Sequence, residues 1–321
     1  RNAFLLILGA KLLCTVTAAA AWETVRHKGQ EYVTARSIKE FYGFQSMQVK
    51  GSFLELENRA VKIQFSIGGQ EVFMNNVKFV FSFKILPLKG RYLISRIDLG
   101  KLVDPVLRPS YIRTATPFDT VIIDPGHGGN DPGAVNQYGL EANYNLAVAR
   151  VLKQQLEARR FKVIMTRNSD RALSLSERVD IANRFQNAIF ISIHFNSGGR
   201  GRAEGIETFT LSPAGVAHYG RERRQDDFQL RQGNPQDSAN IALATAIHST
   251  CLLKTKRPDR GIRRARFSVL TGVKHPAILL EGGFMSHSYE AKLIANATYQ
   301  RTLAGAITDA IMKYRMATMR R

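Results

Sequence analysis

Cysteine is scarce in this chain of 321 residues, which contains only Cys14 and Cys251. Cys14 lies in an apolar N-terminal stretch that ends in small residues. Such a stretch is typical of a secretory signal peptide, which we expect over residues 1–21. After its removal a single cysteine remains, so no intramolecular disulfide can form. The fold must therefore depend on a buried hydrophobic core rather than on disulfide staples.

The sequence also lacks an uninterrupted apolar run of membrane-spanning length. A helix that crosses a bilayer needs about 20 consecutive apolar residues, and Lys11 interrupts the apolar stretch near the N-terminus. We therefore expect no stable membrane span after signal removal. The expected location is the periplasm or the exterior of the cell, in association with the envelope. A retained N-terminal anchor is the alternative.

Acidic side chains are few relative to basic ones. The 26 Asp and Glu residues stand against 46 Lys and Arg residues, which gives a formal net charge of +20. Unless this charge serves solubility alone, it attracts a polyanion such as nucleic acid, anionic lipid or an acidic wall polymer. Zinc-finger spacings and RNA-recognition aromatic motifs are missing, and we expect no nucleic-acid partner.

The pattern of apolar residues changes near the middle of the chain. Residues 22–110 contain segments that alternate with period two, which predicts a small strand-rich α+β domain. A proline-containing linker is expected over 111–117. In 118–321, strand-like runs alternate with helical patterns. This alternation predicts an α/β domain with a mostly parallel sheet covered by helices.

Two histidines follow apolar, strand-like runs. His127 stands in the glycine-rich segment 124–129 after one run, and His194 ends another run that begins near Ile189. Because the carboxyl ends of parallel strands meet at one edge of a sheet, the two imidazoles can converge there. A single histidine in such a place is more often structural. The repetition of the arrangement favours a metal site.

Two carboxylates can complete this site. Glu141 begins a long helical pattern, and Glu281 ends a strand-like run before two glycines. A catalytic zinc ion takes three protein ligands and leaves a fourth position for water. One carboxylate would bind the metal, and the other would act as general base and then as general acid. The spacing of the residues does not decide which of the two carboxylates binds the metal and which acts as the base.

Signatures of other hydrolases are missing. The sequence has neither a Gly-x-Ser-x-Gly elbow nor a His-Glu-x-x-His helix. Cys251 lies within an apolar helical pattern, and we expect it in the core rather than as a nucleophile.

Residues 118 to about 316 resemble the zinc-dependent N-acetylmuramoyl-L-alanine amidases of the amidase_3 type. The resemblance rests on five stretches, which are Val121 to Gly133, Glu141 with Asn145-Leu146-Ala147, Leu175 to Arg178 with Ala182-Asn183, Ile191 to Ser197, and Leu280 to Phe284.

The resemblance implies a function and a role for each candidate residue. His127, Glu141 and His194 would bind one Zn²⁺, and Glu281 would be the catalytic carboxylate. The chain would be a peptidoglycan hydrolase that uses zinc-activated water. The bond cleaved would be the amide between N-acetylmuramic acid and L-alanine of the stem peptide.

Further expectations concern substrate contacts and partners. Arg178 and Asn196 are candidate substrate-binding residues. Peptidoglycan is the expected partner, together with anionic wall polymers. The polar insertion 213–235 falls where some relatives carry a segment that occludes the site. It is either such a cover or a solvated surface.

The N-terminal segment resembles the copper amine oxidase-like domain that precedes some secreted wall enzymes. This likeness rests on Gly29 to Val33 and on Tyr92 to Leu99, and it implies no copper. Further wall contact or a partner surface is the expected role.

Two other functions stay open at this point. One is a zinc hydrolase that cleaves a peptide bond within the stem. The other is a non-catalytic wall-binding protein that keeps the fold as a docking surface.

Overall fold

The computed structural model describes residues 22–319, and the predicted signal peptide at 1–21 lies outside them. The chain divides into two compact units between Tyr111 and Ile112. None of the helices within residues 22–319 combines the length and the apolar character that a membrane span requires.

The strands of the first unit form two sheets in which neighbouring strands run antiparallel. They are β1 (Thr24–His27), β2 (Gln30–Thr34), β3 (Ser46–Lys50), β4 (Phe53–Glu57), β5 (Lys62–Ser66), β6 (Glu71–Met74), β7 (Val77–Val80), β8 (Leu86–Leu88) and β9 (Arg91–Ser95). One sheet has the order β1-β2-β9-β8, and β7-β6-β5-β4-β3 are neighbours in the other.

Helix α1 (Ala35–Tyr42) shows how local chemistry sets the limits of an element. The Thr34 side chain accepts a hydrogen bond from the backbone N–H of Ser37, and Gly43 ends the helix with a φ of 65°. A hydroxyl N-cap and a left-handed glycine are the usual limits of a helix. Further along the first unit, a π-helical turn (Leu99–Val103) separates α2 (Arg96–Asp98) from α3 (Asp104–Leu107).

The second unit contains a sheet with helices packed against it. Its strands are β10 (Thr120–Pro125), β11 (Val135–Asn136), β12 (Gly139–Leu140), β13 (Lys162–Met165), β14 (Ala188–Asn196), β15 (Ile206–Leu211), β16 (Asp259–Ala265) and β17 (Ala277–Phe284). Its helices are α4 (Glu141–Glu157), α5 (Leu175–Asn183), α6 (Asp237–Thr255), α7 (Ser268–Gly272), α8 (Ser288–Ile294) and α9 (Ala297–Thr318). Neighbouring strands follow the order β13-β10-β14-β17-β15-β16, and β11 pairs with β12 as a small hairpin.

The prediction of a mostly parallel sheet is wrong, because this sheet is mixed. Strand β15 pairs antiparallel with β17, whereas β14 pairs parallel with β17. A parallel return needs a crossover of about a dozen residues or more, usually with a helix. The connection 197–205 between β14 and β15 is shorter and contains only a 3₁₀ turn. The chain therefore reverses direction there.

Burial explains why these segments form the core. Every residue of β10 is buried, and only the last residues of β14 are partly exposed. Strands that are covered on both faces consist of continuous apolar runs of this kind. Cys251 is fully buried in α6, which confirms its predicted place in the core. Helix α5 begins with a capping box, in which Ser174 and Glu177 satisfy each other's backbone N–H groups.

Strands β10, β14 and β17 are parallel neighbours, so that their carboxyl ends lie at one edge of the sheet. His127 follows β10, and His194 lies directly opposite Glu281 in the register of β14 and β17. The topology therefore delivers both histidines and one carboxylate to the same edge.

Candidate metal centre

His127 occupies a strained turn just beyond β10. Its φ is 60°, and Gly128 and Gly129 also have positive φ values. Left-handed backbone is uncommon for residues other than glycine, and it persists only where the surrounding structure holds it. The guanidinium of Arg178 holds this turn by donating to the backbone carbonyls of Pro125 at 2.8 Å and of His127 at 2.9 Å.

The imidazole of His127 is oriented by Asp131. Its Nδ1 lies 2.7 Å from Oδ2 of Asp131. A carboxylate accepts, so Nδ1 carries the proton and donates. The other nitrogen, Nε2, lies 3.2 Å from Oε1 of Glu141 and offers a lone pair to a metal ion when the ring is neutral. Outer carboxylates of this kind fix the tautomer of metal-binding histidines.

Glu141 is buried at the first turn of α4, where the helix dipole favours a negative charge. Its Oε2 accepts from the backbone N–H of Ala134 at 2.9 Å, and its Oε1 accepts from that of Phe195 at 3.2 Å. Burial raises the pKa of Glu141, but hydrogen bonds from His127 and His194 outweigh it and hold the pKa well below its usual range. The carboxylate is therefore ionised.

His194, on β14, completes a cluster with the other two side chains. Its Nδ1 lies 3.0 Å from Oε1 of Glu141. Within residues 22–319, His127, Glu141 and His194 form the one group of three such side chains whose ligand atoms all lie within 4.8 Å of one another. We call these three residues the ligand cluster.

Two of the three ligand-to-ligand spacings in the cluster match a tetrahedral zinc ion. Zinc bonds of about 2.0–2.1 Å imply about 3.3 Å between neighbouring ligand atoms. The two imidazole nitrogens lie 3.2 and 3.0 Å from the Glu141 oxygen. A positive charge, either a proton on an imidazole or a bound metal ion, stabilises this arrangement of two nitrogens around one carboxylate oxygen.

Glu281 lies beside the ligand cluster on β17. It is the register partner of His194 on one side and of Glu207 on the other. Its Oε2 is buried and has no hydrogen-bond partner within the described chain. Burial raises the pKa of Glu281 well above its ordinary value, and the negative charges of Glu141 and Glu207 raise it further. A buried carboxyl oxygen without a hydrogen-bond partner lowers the stability of the fold. Its presence at this position indicates that Glu281 interacts with a bound molecule or ion.

The two candidate substrate contacts make hydrogen bonds within the protein. Arg178 is buried, and its NH1 donates to Oδ1 of Asp124 at 2.8 Å. Nδ2 of Asn196 donates to Oε2 of Glu207 at 2.8 Å. Their roles in substrate binding stay predictions.

Sequence reasoning missed several supporting residues. Arg167 is fully buried, and its NH2 donates to the carbonyls of Gly126 at 2.7 Å and of Ala142 at 2.8 Å. It thereby fastens the His127 turn to α4, although no motif marks it. Asp131 had a usable signal, since it is a carboxylate only four residues after His127 and close to the same glycine-rich segment. Glu207 had no such signal in the sequence, because the residues that it contacts lie on other strands.

The insertion 213–235 is folded around an ion cluster. NH1 and NH2 of Arg221 each lie 2.7 Å from an oxygen of the buried Asp227, and Nε of Arg266 lies 2.8 Å from the same side chain. Hydrogen bonding by Arg221 lowers the pKa of Asp227 to about 2. Within the insertion the chain forms a 3₁₀ turn at Gln225–Phe228. The two interpretations of this loop, as a cover or as solvated surface, stay predictions.

Gly126 offers a test of the cluster that removes no ligand. A Cβ at this position would lie 2.1 Å from Cε1 and 2.3 Å from Nε2 of His194. Gly126→Ala is therefore expected to push the imidazole out of the cluster and to lower bound metal and activity together. Elemental analysis and a hydrolysis assay measure both quantities.

The matched control is Gly100→Ala, because a Cβ there would meet nothing within 4 Å. That variant should keep the metal and the activity. Wild-type metal content in Gly126→Ala would contradict the assignment of His194 as a ligand.

Comparisons with known proteins agree with this geometry. Residues 121–313 match the Amidase_3 family, described as N-acetylmuramoyl-L-alanine amidase. N-acetylmuramoyl-L-alanine amidase AmiC of Neisseria meningitidis is 30% identical over 217 residues, which are 60% of this chain and 52% of that relative. The probable cell wall amidase LytH of Staphylococcus epidermidis is 26% identical over 286 residues, which are 88% of this chain and 78% of that protein.

A solved structure gives the same result at the level of the fold. N-acetylmuramoyl-L-alanine amidase AmiC2 of Nostoc punctiforme superposes with a TM-score of 0.51 and 32% identity, over 61% of this chain and 96% of that one. The family match covers more than half of the sequence and contains the ligand cluster and Glu281. The chain therefore belongs to the Amidase_3 family and is a peptidoglycan N-acetylmuramoyl-L-alanine amidase.

Proposed function

We propose that this amidase is zinc-dependent, that His127, Glu141 and His194 bind the ion, and that Glu281 is its general base. The observation that carries the proposal is the ligand cluster within 4.8 Å, with Glu281 as the register partner of one of its histidines. The bond cleaved is the amide between the lactyl group of N-acetylmuramic acid and L-alanine.

The donor set supports zinc over other divalent ions. Imidazole nitrogen suits zinc, whereas magnesium and calcium prefer oxygen ligands throughout. When bound, a zinc ion polarises the scissile carbonyl and lowers the pKa of water toward about 7. Asp131 keeps His127 in the tautomer that presents Nε2, and the backbone N–H groups of Ala134 and Phe195 keep Glu141 in place.

Glu281 supplies the proton transfers in this proposal. Its raised pKa and its unpartnered Oε2 suit a carboxylate that accepts a proton from the attacking water. The water oxygen bonds to the carbonyl carbon as Glu281 takes the proton. The C–N bond then breaks, and Glu281 returns that proton to the departing nitrogen of L-alanine. The products are a muramic acid carboxylate and a stem peptide with a free amino terminus.

The charge of the chain supports an envelope location and a wall partner. Stem peptides and associated wall polymers are acidic, and a net charge of +20 holds the enzyme to such an insoluble substrate. We place the protein in the periplasm or outside the cell, with residues 1–21 as signal peptide and 118–321 as catalytic domain. Residues 22–110 would be the copper amine oxidase-like domain, joined through 111–117, and would add wall contact.

Digestion of purified muropeptides tests the proposal. We expect mass spectrometry to find intact stem peptides with a free L-alanine amino terminus, since cleavage occurs at the lactyl amide. Shortened stems still joined to the glycan would instead identify a peptidase. Binding to wall without any release would identify a non-catalytic wall protein.

A further inference from the structure

A row of polar residues extends across the sheet from the ligand cluster. His194 is paired with Glu281, Glu281 with Glu207, and Glu207 with Gly261 on β16. The register of β15 and β16 shifts just before Gly261, which places Arg260 at the irregularity. Register partners on adjacent strands project from the same face of a sheet. The row of register partners ends at Gly261, and the side chain of Arg260, the preceding residue on β16, reaches back to Glu207.

Arg260 is held in one orientation by two contacts. Its Nε donates to Oε1 of Glu207 at 3.0 Å, and its guanidinium carbon lies 4.9 Å from the ring centroid of Phe284. Its side chain is 32% exposed, which leaves part of the guanidinium open to solvent. Within residues 22–319, its NH1 and NH2 groups make no hydrogen bond. The NH1 and NH2 groups of Arg260 are thus two hydrogen-bond donors held in one plane at the surface of the protein.

The exposed NH1 and NH2 groups of Arg260 can bind an anion at this place. Arg260 and Arg263 share the single carboxylate of Glu207, at 3.0 and 3.3 Å. A planar guanidinium with two adjacent NH₂ groups binds a carboxylate through paired hydrogen bonds, and it does so better than a lysine.

The distance between Glu281 and β16 determines which part of the substrate Arg260 can reach. Two strand spacings separate Glu281 from β16, which amounts to about 10 Å. That is the length of about three extended peptide residues. With the scissile amide at Glu281, the anion must lie near the beginning of the stem peptide. In stems whose second residue is γ-linked D-glutamate, the α-carboxylate of that residue is the first free carboxylate after the cleaved bond.

We propose that Arg260 binds the first free carboxylate of the stem peptide and thereby selects stems that carry it. The inference rests on the amidase chemistry proposed above, because it takes Glu281 as the position of the cleaved bond. Arg260 acts on substrate affinity, and Glu207 and Phe284 hold its side chain.

A matched pair of substrates tests the inference. The two muropeptides are disaccharide tripeptides that differ only in the second residue, D-isoglutamate or D-isoglutamine. A charge-assisted pair of hydrogen bonds contributes roughly 1.5–3 kcal/mol, so we expect the wild type to have about a tenfold to hundredfold lower KM for the free acid. Arg260→Gln should lose this preference through KM, with kcat little changed, and Arg260→Lys should restore only part of it.

Arg301→Gln is the control, since Arg301 is an exposed arginine on α9 whose NH2 donates to the hydroxyl of Thr298. It should keep the wild-type preference. Circular dichroism and the melting temperature verify that each variant is folded.

The outcomes separate this inference from the proposed function. If the wild type releases stems but does not distinguish the two substrates, or if Arg260→Gln raises both KM values equally, the inference is wrong and the amidase assignment stands. If the wild type releases no stems, the proposed function fails. Calorimetry of both compounds on the Glu281→Gln protein, with and without Arg260→Gln, then still decides whether Arg260 binds the carboxylate.

Discussion

Replacement of Glu281 by glutamine is expected to lower kcat by about 10²- to 10⁴-fold, the range that general acid–base catalysis contributes. Glutamine keeps the shape of the side chain but cannot accept the proton of the attacking water. Steady-state hydrolysis of a purified muropeptide measures the loss. Metal content should stay at the wild-type level, because the ligand cluster is untouched.

The stability of this variant gives a second readout of the same carboxyl. Burial and the charges of Glu141 and Glu207 raise the pKa of Glu281 in the folded protein. A raised carboxyl pKa means that the folded state binds the proton more tightly than the unfolded chain does. In metal-free protein, the wild type should therefore lose stability relative to Glu281→Gln as the pH rises above about 4.3, the value for an unperturbed glutamate.

Glu157→Gln, at an exposed position on α4, serves as the control and should leave both kcat and this pH dependence unchanged. Retention of more than about a tenth of the wild-type kcat by Glu281→Gln would exclude Glu281 as the general base, since that loss is smaller than acid–base catalysis accounts for.

Replacement of Glu141 by glutamine is expected to remove the metal and the activity together. The carboxylate is shared by both imidazoles, at 3.2 and 3.0 Å, and a neutral amide is a poor zinc ligand. We expect the zinc affinity to fall by more than about 100-fold, the upper range for groups that merely hold a ligand. Elemental analysis and zinc titration after chelator treatment measure it.

Asp131→Asn is the graded control for this experiment, because Asp131 contacts His127 but belongs to no ligand position. Its zinc affinity should fall by about 10- to 100-fold, and excess zinc should restore hydrolysis. One tightly held zinc per chain in Glu141→Gln would mean that another side chain supplies the third ligand.

The sequence alone was sufficient where local patterns carried the information. Each ligand histidine follows a continuous apolar strand, and the glycines around His127 mark a backbone that other residues rarely adopt. The capping box of Ser174 and Glu177 likewise marked the start of α5. In each case the residues that specify the structure are close together in the chain.

The rest depends on which distant segments meet. Arg167 contacts the His127 turn at residues that are 41 and 42 positions away in the sequence. The residues next to Arg167 in the sequence give no indication of that contact. Strand β15 runs antiparallel to β17 because the connection from β14 to β15 is short. This direction could not be predicted without knowing that β17 lies between β14 and β15 in the sheet. The position of Arg260 depends on a register shift in a strand that the sequence analysis did not predict.

Arg167 and Arg178 grip the His127 turn through carbonyl oxygens of the main chain, at Pro125, Gly126 and His127. Neither set of hydrogen bonds requires a bound ion. The entropy of ordering this loop is therefore lost during folding rather than at metal uptake. The metal-free protein therefore already presents the ligand cluster, and it can bind an ion without rearranging this part of its backbone.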